Sequence, residues 1–433
     1  RRARRWRVAL ARERRACRRG DACMPLEERR VEINGLTPGM YVCRLDRPWT
    51  ETPYPLQGFL VESPADIEQL RRYSSYVYID VEKSLDRSER GVLLRLGYGL
   101  PRGGRPPLPP PTVYRESVPL DEELPKARVA WETMRELATR FVDDLRNGRR
   151  ISAEEMGRAI EPIVTSVIRN ADAFFWLDAL RKRDPYSYSH AINCCALATT
   201  FGRQLGFPRS VLVDIASGGM LMDIGMAALP DGLCNRPGPL DPAQRAQMQG
   251  HVALGLEQLH QAGVSNIEVL EMIEYHHERH DGSGYPGGRS GFEIPLMGRM
   301  LGLVDTFDAM SSERPHQTAS AKHQVLQTLY RERDRLFQAE LIEQFSQSLG
   351  VYPTGSLVEL STGEVAVVMA QNPARRLYPR VTVLTRPDKA IDPAFRQVDL
   401  WVDTPAREAS SRTSIARALP AGAHGLELSE FFL

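Results

Sequence analysis

Four histidines and two aspartates, His190, Asp223, His251, His276, His277 and Asp305, fall in one segment of helical pattern, and that set constrains the fold more than any other feature. Imidazole and carboxylate suit borderline divalent ions such as iron, manganese or zinc. A single histidine is more often a core or surface residue than a ligand. Six such groups on successive segments point instead to a fold that gathers them at one place. Upstream, VAWETMRELATRFVDDL and AIEPIVTSVIRNADAFFWLDAL place apolar residues three and four apart, as amphipathic helices do. Glycine and proline then punctuate the pattern at GFPRS, PDGLCNRPGPLDP and DGSGYPGG as far as Gly350. The expected class is multidomain and mainly α, with an all-helical core, a small N-terminal α+β module and a small C-terminal β appendage.

The flanks supply the two β parts. GMYVCRLD, GFLVES and YVYIDVE alternate apolar and polar residues around one helical stretch, ADIEQLRRY, and predict the α+β module over 31–85. The stretch GYGLPRGGRPPLPPP favours extended polyproline backbone and sits within a linker over 86–125. The helical domain is expected over 126–350. SLVELS, EVAVVMA and RVTVLT then have strand character, giving a β appendage over 351–403. Residues 404–433 are expected to be a polar tail with a short helix around Leu426–Phe432.

Totals exclude several classes. With 56 basic against 55 acidic residues the net charge is +1, so there is no overall pull toward a nucleic acid polymer or an anionic membrane. No uninterrupted apolar run of about 18 residues marks a membrane span. Six cysteines without CxxC spacing suit reduced thiols, Cys194 and Cys195 read as packing residues, and the expected location is cytoplasmic. The basic segment 1–30 opens with ten arginines among residues 1–19, whereas the first methionine is Met24, so a translation start at Met24 is the expectation.

His276-His277 opens HHERHDGSGYPGG, followed by LVDTFDAMSSERP. With YSHAINCCALA around His190, MLMDIGMAALP around Asp223 and QGHVALGLEQL around His251, these strings resemble the HD-GYP branch of the HD metal-dependent phosphohydrolases over about residues 185–320. The run from EINGLTPGMYVCRLD to ADIEQLRRY is similar to an uncharacterised domain often found ahead of HD-GYP domains. The resemblance implies hydrolysis of cyclic di-GMP at a divalent metal centre, iron or manganese and binuclear at most, with a single occupied site as the alternative. By carry-over, His190, Asp223 and Asp305 would hold one ion and His251, His276 and His277 the other, with Asp223 bridging and catalytic. Gly284, Tyr285 and Arg314 would bind substrate, Tyr285 by stacking on guanine, and Arg279 would face phosphate or form a surface ion pair. A signalling protein docked on the GYP surface and a homodimer are further implied partners.

The sequence departs from the family pattern at four positions. Met222 replaces the histidine of HD, and a thioether binds borderline ions poorly. Met226 and Gln317 replace two cations that would face phosphate, and Tyr186 stands where family members with a third metal carry glutamate. Two readings follow: an attenuated cyclic di-GMP phosphodiesterase, or an inactive receptor or docking protein that keeps the fold.

Overall fold

A computed structural model describes residues 28–432, apart from 37–39, 48–57, 62–63, 81–111, 147–148, 150–152, 181–185, 231, 235–237, 314–318, 373–375 and 402–412. The chain divides into two compact units, Arg1–Arg87 and Ser88–Leu433.

In the first unit, strands β1 (Glu28–Glu32), β2 (Tyr41–Leu45), β3 (Phe59–Leu60) and β4 (Tyr76–Asp80) form an antiparallel sheet in the order β1-β4-β2-β3, with helix α1 (Pro64–Leu70) between β3 and β4. Alternation does the work: Val42, Val77 and Ile79 turn inward to meet Ile33, Leu36, Val61 and Leu70 in a small apolar core. On β4, Tyr76 and Tyr78 alternate with these residues and take the guanidinium groups of Arg30 and Arg44 at 3.7 and 3.6 Å from their ring centres. Strand β1 therefore begins inside the span expected to be only a basic segment, because Arg30 is accommodated by stacking at the edge of the sheet.

The second unit begins earlier than the expected end of the linker at residue 125. Tyr114 donates through its hydroxyl to the Phe207 carbonyl at 2.8 Å, and Asn170 donates to the Val118 carbonyl at 3.0 Å, so this stretch lies on the helical core. Helices α2 (Leu120–Arg146), α3 (Ala153–Arg169), α4 (Asp172–Leu180), α5 (Tyr186–Gln204) and α6 (Arg209–Leu221) follow. Along α2, Ala127, Ala130, Trp131, Met134, Leu137, Ala138 and Phe141 are buried at helical spacing. Helix α5 is buried nearly throughout, from His190 to Phe201. A 3-10 turn (Ile224–Ala228) leads on to α7 (Pro242–Gln249), α8 (His251–Gln261), α9 (Ile267–Tyr275), α10 (Leu296–Ser311), α11 (Lys322–Arg331) and α12 (Ala339–Leu349).

By length and composition, Arg209–Ala228 could cross a bilayer, with a mean hydropathy of 1.5. A search for uninterrupted apolar runs misses it. In the fold it is broken into α6 and the 3-10 turn, and Leu212, Ile215, Ala216, Met220 and Leu221 are part of the main core.

The C-terminal sheet, in the order β8-β7-β6-β5-β9, comprises β5 (Leu357–Leu360), β6 (Val365–Ala370), β7 (Arg380–Val383), β8 (Gln397–Asp399) and β9 (Ile415–Leu419), all antiparallel. One face, with Leu357, Val365 and Val367, joins the helical core, while Val358, Ala366, Val368, Val381 and Val383 form a second cluster on the other. This explains the almost continuous apolar run in EVAVVMA. The segment expected to be a tail is corrected here: β9 pairs with β5 and completes the sheet, placing Leu419 opposite Leu357. Helix α13 (Leu428–Phe432) then sets Phe432 edge-on to Trp176 at 5.2 Å. The architecture is a helical core with small β sheets toward each end of the sequence.

Candidate metal centre

Asp223 leaves the end of α6 with φ −101° and ψ 11° and opens the 3-10 turn. Two residues on, a side-chain carbon on Gly225 would lie 2.0 Å from the His251 carbonyl oxygen. Only glycine lets this turn rest directly on α8, which carries His251 at its first position, so the aspartate and the histidine meet. Helix α9 is fixed at its start by Asn266, whose side chain accepts from the Glu268 and Val269 N–H groups and donates to Asp214 of α6 at 2.8 Å. The helix therefore ends with His276 and His277 beside the same turn. His190 comes from α5 and Asp305 from α10.

Asp223 joins two groups of donors. Its Oδ1 lies 3.4 Å from His251 Nε2 and 3.7 Å from His276 Nε2, and donor atoms of Asp223, His251, His276 and His277 all fall within 4.8 Å of one another. Its Oδ2 lies 3.2 Å from His190 Nε2, which is 3.3 Å from Asp305 Oδ1. Asp305 Oδ2 in turn is 3.8 Å from His277 Nδ1.

Ring orientation is set behind the centre. His251 donates from Nδ1 to the Met248 carbonyl and His276 from Nδ1 to the Ile273 carbonyl, each at 2.7 Å. Both bonds leave the Nε2 lone pair facing Asp223. His190 donates from Nδ1 to Asp308 Oδ2 at 2.7 Å, and Asp308 accepts from Asn193 at 3.2 Å and from the Ser312 hydroxyl at 3.3 Å. Asp223 Oδ1 and the Nε2 atoms of His251, His276 and His277 are buried without a hydrogen-bond partner among the described residues. Orphaned atoms of this kind cost about 1–3 kcal/mol each. Three imidazole nitrogens and one carboxylate oxygen converging in this way fit a borderline divalent cation.

The electrostatics agree. Burial opposes ionisation of Asp223 and Asp305, yet the surrounding imidazoles, His190 foremost at both, hold both carboxyls below their usual range. Burial also opposes charge on His190, but the carboxylates of Asp223, Asp305 and Asp308 together raise it well above the ordinary value. His277 is pushed well down, first by burial and then by His276. Burial lifts the Cys194 thiol to about 12, so it stays a thiol although its sulfur is 3.6 Å from His190 Nδ1.

The GYP loop folds back onto the centre. A side-chain carbon on Gly284 would lie 2.4 Å from both the Arg279 nitrogen and the His277 carbonyl oxygen, and the Tyr285 N–H donates to that carbonyl at 3.2 Å. Tyr285 stacks on His277 with ring centres 4.6 Å apart and planes at 25°. One face of the ring that the sequence offers to guanine is thus covered by a histidine. Buried Glu278 accepts from the Gly287 and Arg289 N–H groups at 2.7 and 3.0 Å and shapes the turn. Arg279 is not paired with Glu278 in a surface ion pair: it donates to the carbonyls of His276 and Glu278, both at 2.9 Å, and braces the histidine pair.

Met222 is 1% exposed and belongs to the main apolar core, while Met226 is half-buried on the 3-10 turn. Tyr186 opens α5, its side chain lying outside the described residues, as do Arg314 and Gln317. Sequence reasoning missed Asp308 and Asn193. Their signal was present: Asp308 is one helical turn after Asp305 in VDTFDAM, and Asn193 stands three residues after His190.

Comparison with known proteins adds the family. A model of the HD domain matches residues 176–341, and a domain of unknown function, DUF3391, matches residues 28–156. Cyclic di-GMP phosphodiesterase PA4108 of Pseudomonas aeruginosa is 30% identical over 360 residues, covering 82% of this chain and 84% of that protein. The cyclic di-GMP phosphodiesterase response regulator RpfG of Xanthomonas campestris is 33% identical over 186 residues, 41% of this chain and 49% of its own length. The 3'3'-cGAMP-specific phosphodiesterase 2 of Vibrio cholerae is 30% identical over 167 residues, 38% of this chain and 32% of its own. Among solved structures, the HDG"Y"P protein Bd1817 of Bdellovibrio bacteriovorus aligns with a TM-score of 0.44 at 14% identity, over 74% of this chain and 98% of that one. The chain belongs to the HD-GYP branch of the HD-domain phosphohydrolases, with a DUF3391 domain on its N-terminal side.

Proposed function

We propose that this protein is a metal-dependent phosphodiesterase that hydrolyses cyclic di-GMP. The observation that carries the reading is the set of four donors on Asp223, His251, His276 and His277, without partners among the described residues and buried where the HD-GYP strings converge. The similarity to a cyclic di-GMP phosphodiesterase over 84% of that protein supports the choice of substrate. Iron or manganese suits the mixed imidazole and carboxylate donors. A divalent ion bound there supplies positive charge for phosphate oxygens and makes a nearby water more acidic. The chain's own part is to hold and orient. The carbonyls of Met248 and Ile273 keep two imidazoles turned inward, Asp308 aims His190, and the Tyr285 ring packs His277.

A second reading, a nucleotide receptor without turnover, is favoured by Met222, whose side chain is packed into apolar core where the family has a metal-binding histidine. One experiment separates the two. Purified protein is incubated with cyclic di-GMP and Mn²⁺ or Fe²⁺, with 3'3'-cGAMP as a parallel substrate, and products are resolved by chromatography. Linear product from cyclic di-GMP, absent with Asp223→Asn, is the expected outcome. Saturable binding of the nucleotide with no product would replace the enzyme by the receptor, and preferential cleavage of 3'3'-cGAMP would change the substrate.

A further inference from the structure

We infer that the two halves of the centre bind metal unequally: one divalent ion is held tightly by Asp223, His251, His276 and His277, while a second, at His190, Asp223 and Asp305, is exchangeable and loads only as free metal rises. Its consequence for turnover, that free metal concentration gates hydrolysis, rests on the phosphodiesterase reading; the inequality itself does not.

The two halves differ in three ways. The first brings four donors within 4.8 Å, and the second three. In the first half the Nε2 atoms of His251, His276 and His277 and Oδ1 of Asp223 have no hydrogen-bond partner among the described residues, and the separations of 3.4 and 3.7 Å from Asp223 are too long for good hydrogen bonds. An ion entering there satisfies four buried atoms. In the second half, His190 Nε2 lies closer, 3.2 and 3.3 Å from oxygens of Asp223 and Asp305, so an ion must compete with a shorter contact to enter. The residue preceding Asp223 is the third difference. Met222 is sealed into the apolar core, and its thioether is a poor donor for a borderline ion. Asp223 contributes to both halves, so its negative charge is already shared once the first ion is bound.

The gating follows from mass action. A half that lacks a ligand and must compete with a shorter internal contact binds at least about tenfold more weakly, since even outer contacts of metal ligands cost about 10–100-fold when lost. At low free metal the chain would carry one ion and little activity, and added metal would restore turnover without a change in protein.

The test is metal content of the full chain. Protein loaded with Mn²⁺ and desalted is assayed for bound metal, then titrated with Mn²⁺ by calorimetry and by electron paramagnetic resonance. About one retained equivalent is expected, followed by a second, weaker binding event whose affinity is at least about tenfold lower. His251→Gln should strip the retained ion, whereas Asp305→Asn should keep it and abolish the second event, with circular dichroism establishing that both variants are folded. Two retained equivalents of equal affinity, no retained metal, or loss of the retained ion in folded Asp305→Asn would each overturn the inference. Inequivalent binding without product from cyclic di-GMP would sink the phosphodiesterase reading alone, and product from a chain holding two tight ions would sink only this one.

Discussion

The imidazoles on the two sides of Asp223 are held in different ways. His251 and His276 are oriented by backbone carbonyls three residues earlier in the chain, whereas His190 is oriented by Asp308, which is 118 residues away in sequence. Local backbone bonds come with the helix and turn that carry each ring. The support of His190 depends on α5 and α10 packing together and on one buried carboxylate, itself held by Asn193 and Ser312. Ring orientation of His251 and His276 is therefore a local matter, whereas that of His190 depends on contacts made elsewhere in the chain.

The most severe way to break this contrast is Asp223→Asn, which removes charge from both halves. Metal content should fall to near zero and hydrolysis of cyclic di-GMP by on the order of a thousandfold, as measured by product chromatography. Retention of one tightly bound ion would mean that the three imidazoles suffice alone. His276→Ala attacks the first half only, and retained metal should drop by on the order of a hundredfold in affinity, read by competition with a chelator. A variant that keeps its metal would show that the orphaned Nε2 atom is not a ligand.

Asp308→Asn sharpens the comparison from the other side. It should weaken the second binding event by about 10–100-fold in calorimetry while leaving the retained ion in place, with activity recovering at high Mn²⁺. Equal weakening of both events would erase the distinction between local and long-range support. The smallest effect is expected at Tyr285. Replacing its ring by leucine removes a stacked contact worth about 0.5–1.5 kcal/mol and should lower first-ion affinity by up to about tenfold, while Tyr285→Phe keeps the stack and stays near the parent value. If phenylalanine costs as much as leucine, the hydroxyl rather than the stack carries the role.

Much of this centre is legible in the sequence. His190, Asp223, His251, His276, His277 and Asp305 stand in strings whose residue types and spacing are local properties, and the structure brings all six together. Asp308 escaped notice because an aspartate one turn beyond a ligand reads equally well as a solvated helix face. An ion pair between Arg279 and its neighbour Glu278 does not form because the loop turns Glu278 toward the N–H groups of Gly287 and Arg289 and leaves the arginine to the carbonyl of His276. Strand β9 was missed for a related reason. Its residues, IARAL, carry little apolar alternation, and their register comes from β5, some 60 residues earlier in the chain.

Residue type and local period are intrinsic to the chain, so the sequence alone determined the helical class, the flanking β parts and the identity of the donors. It also determined that a thioether stands before Asp223. Tertiary structure decided the rest: which donor side chains converge, which ring nitrogens among the described residues lack a hydrogen-bond partner, and that Met222 turns into apolar packing. Those outcomes depend on contacts between helices distant in sequence, such as the rest of Gly225 on the His251 carbonyl, and the spacing of residues within one helix does not encode them.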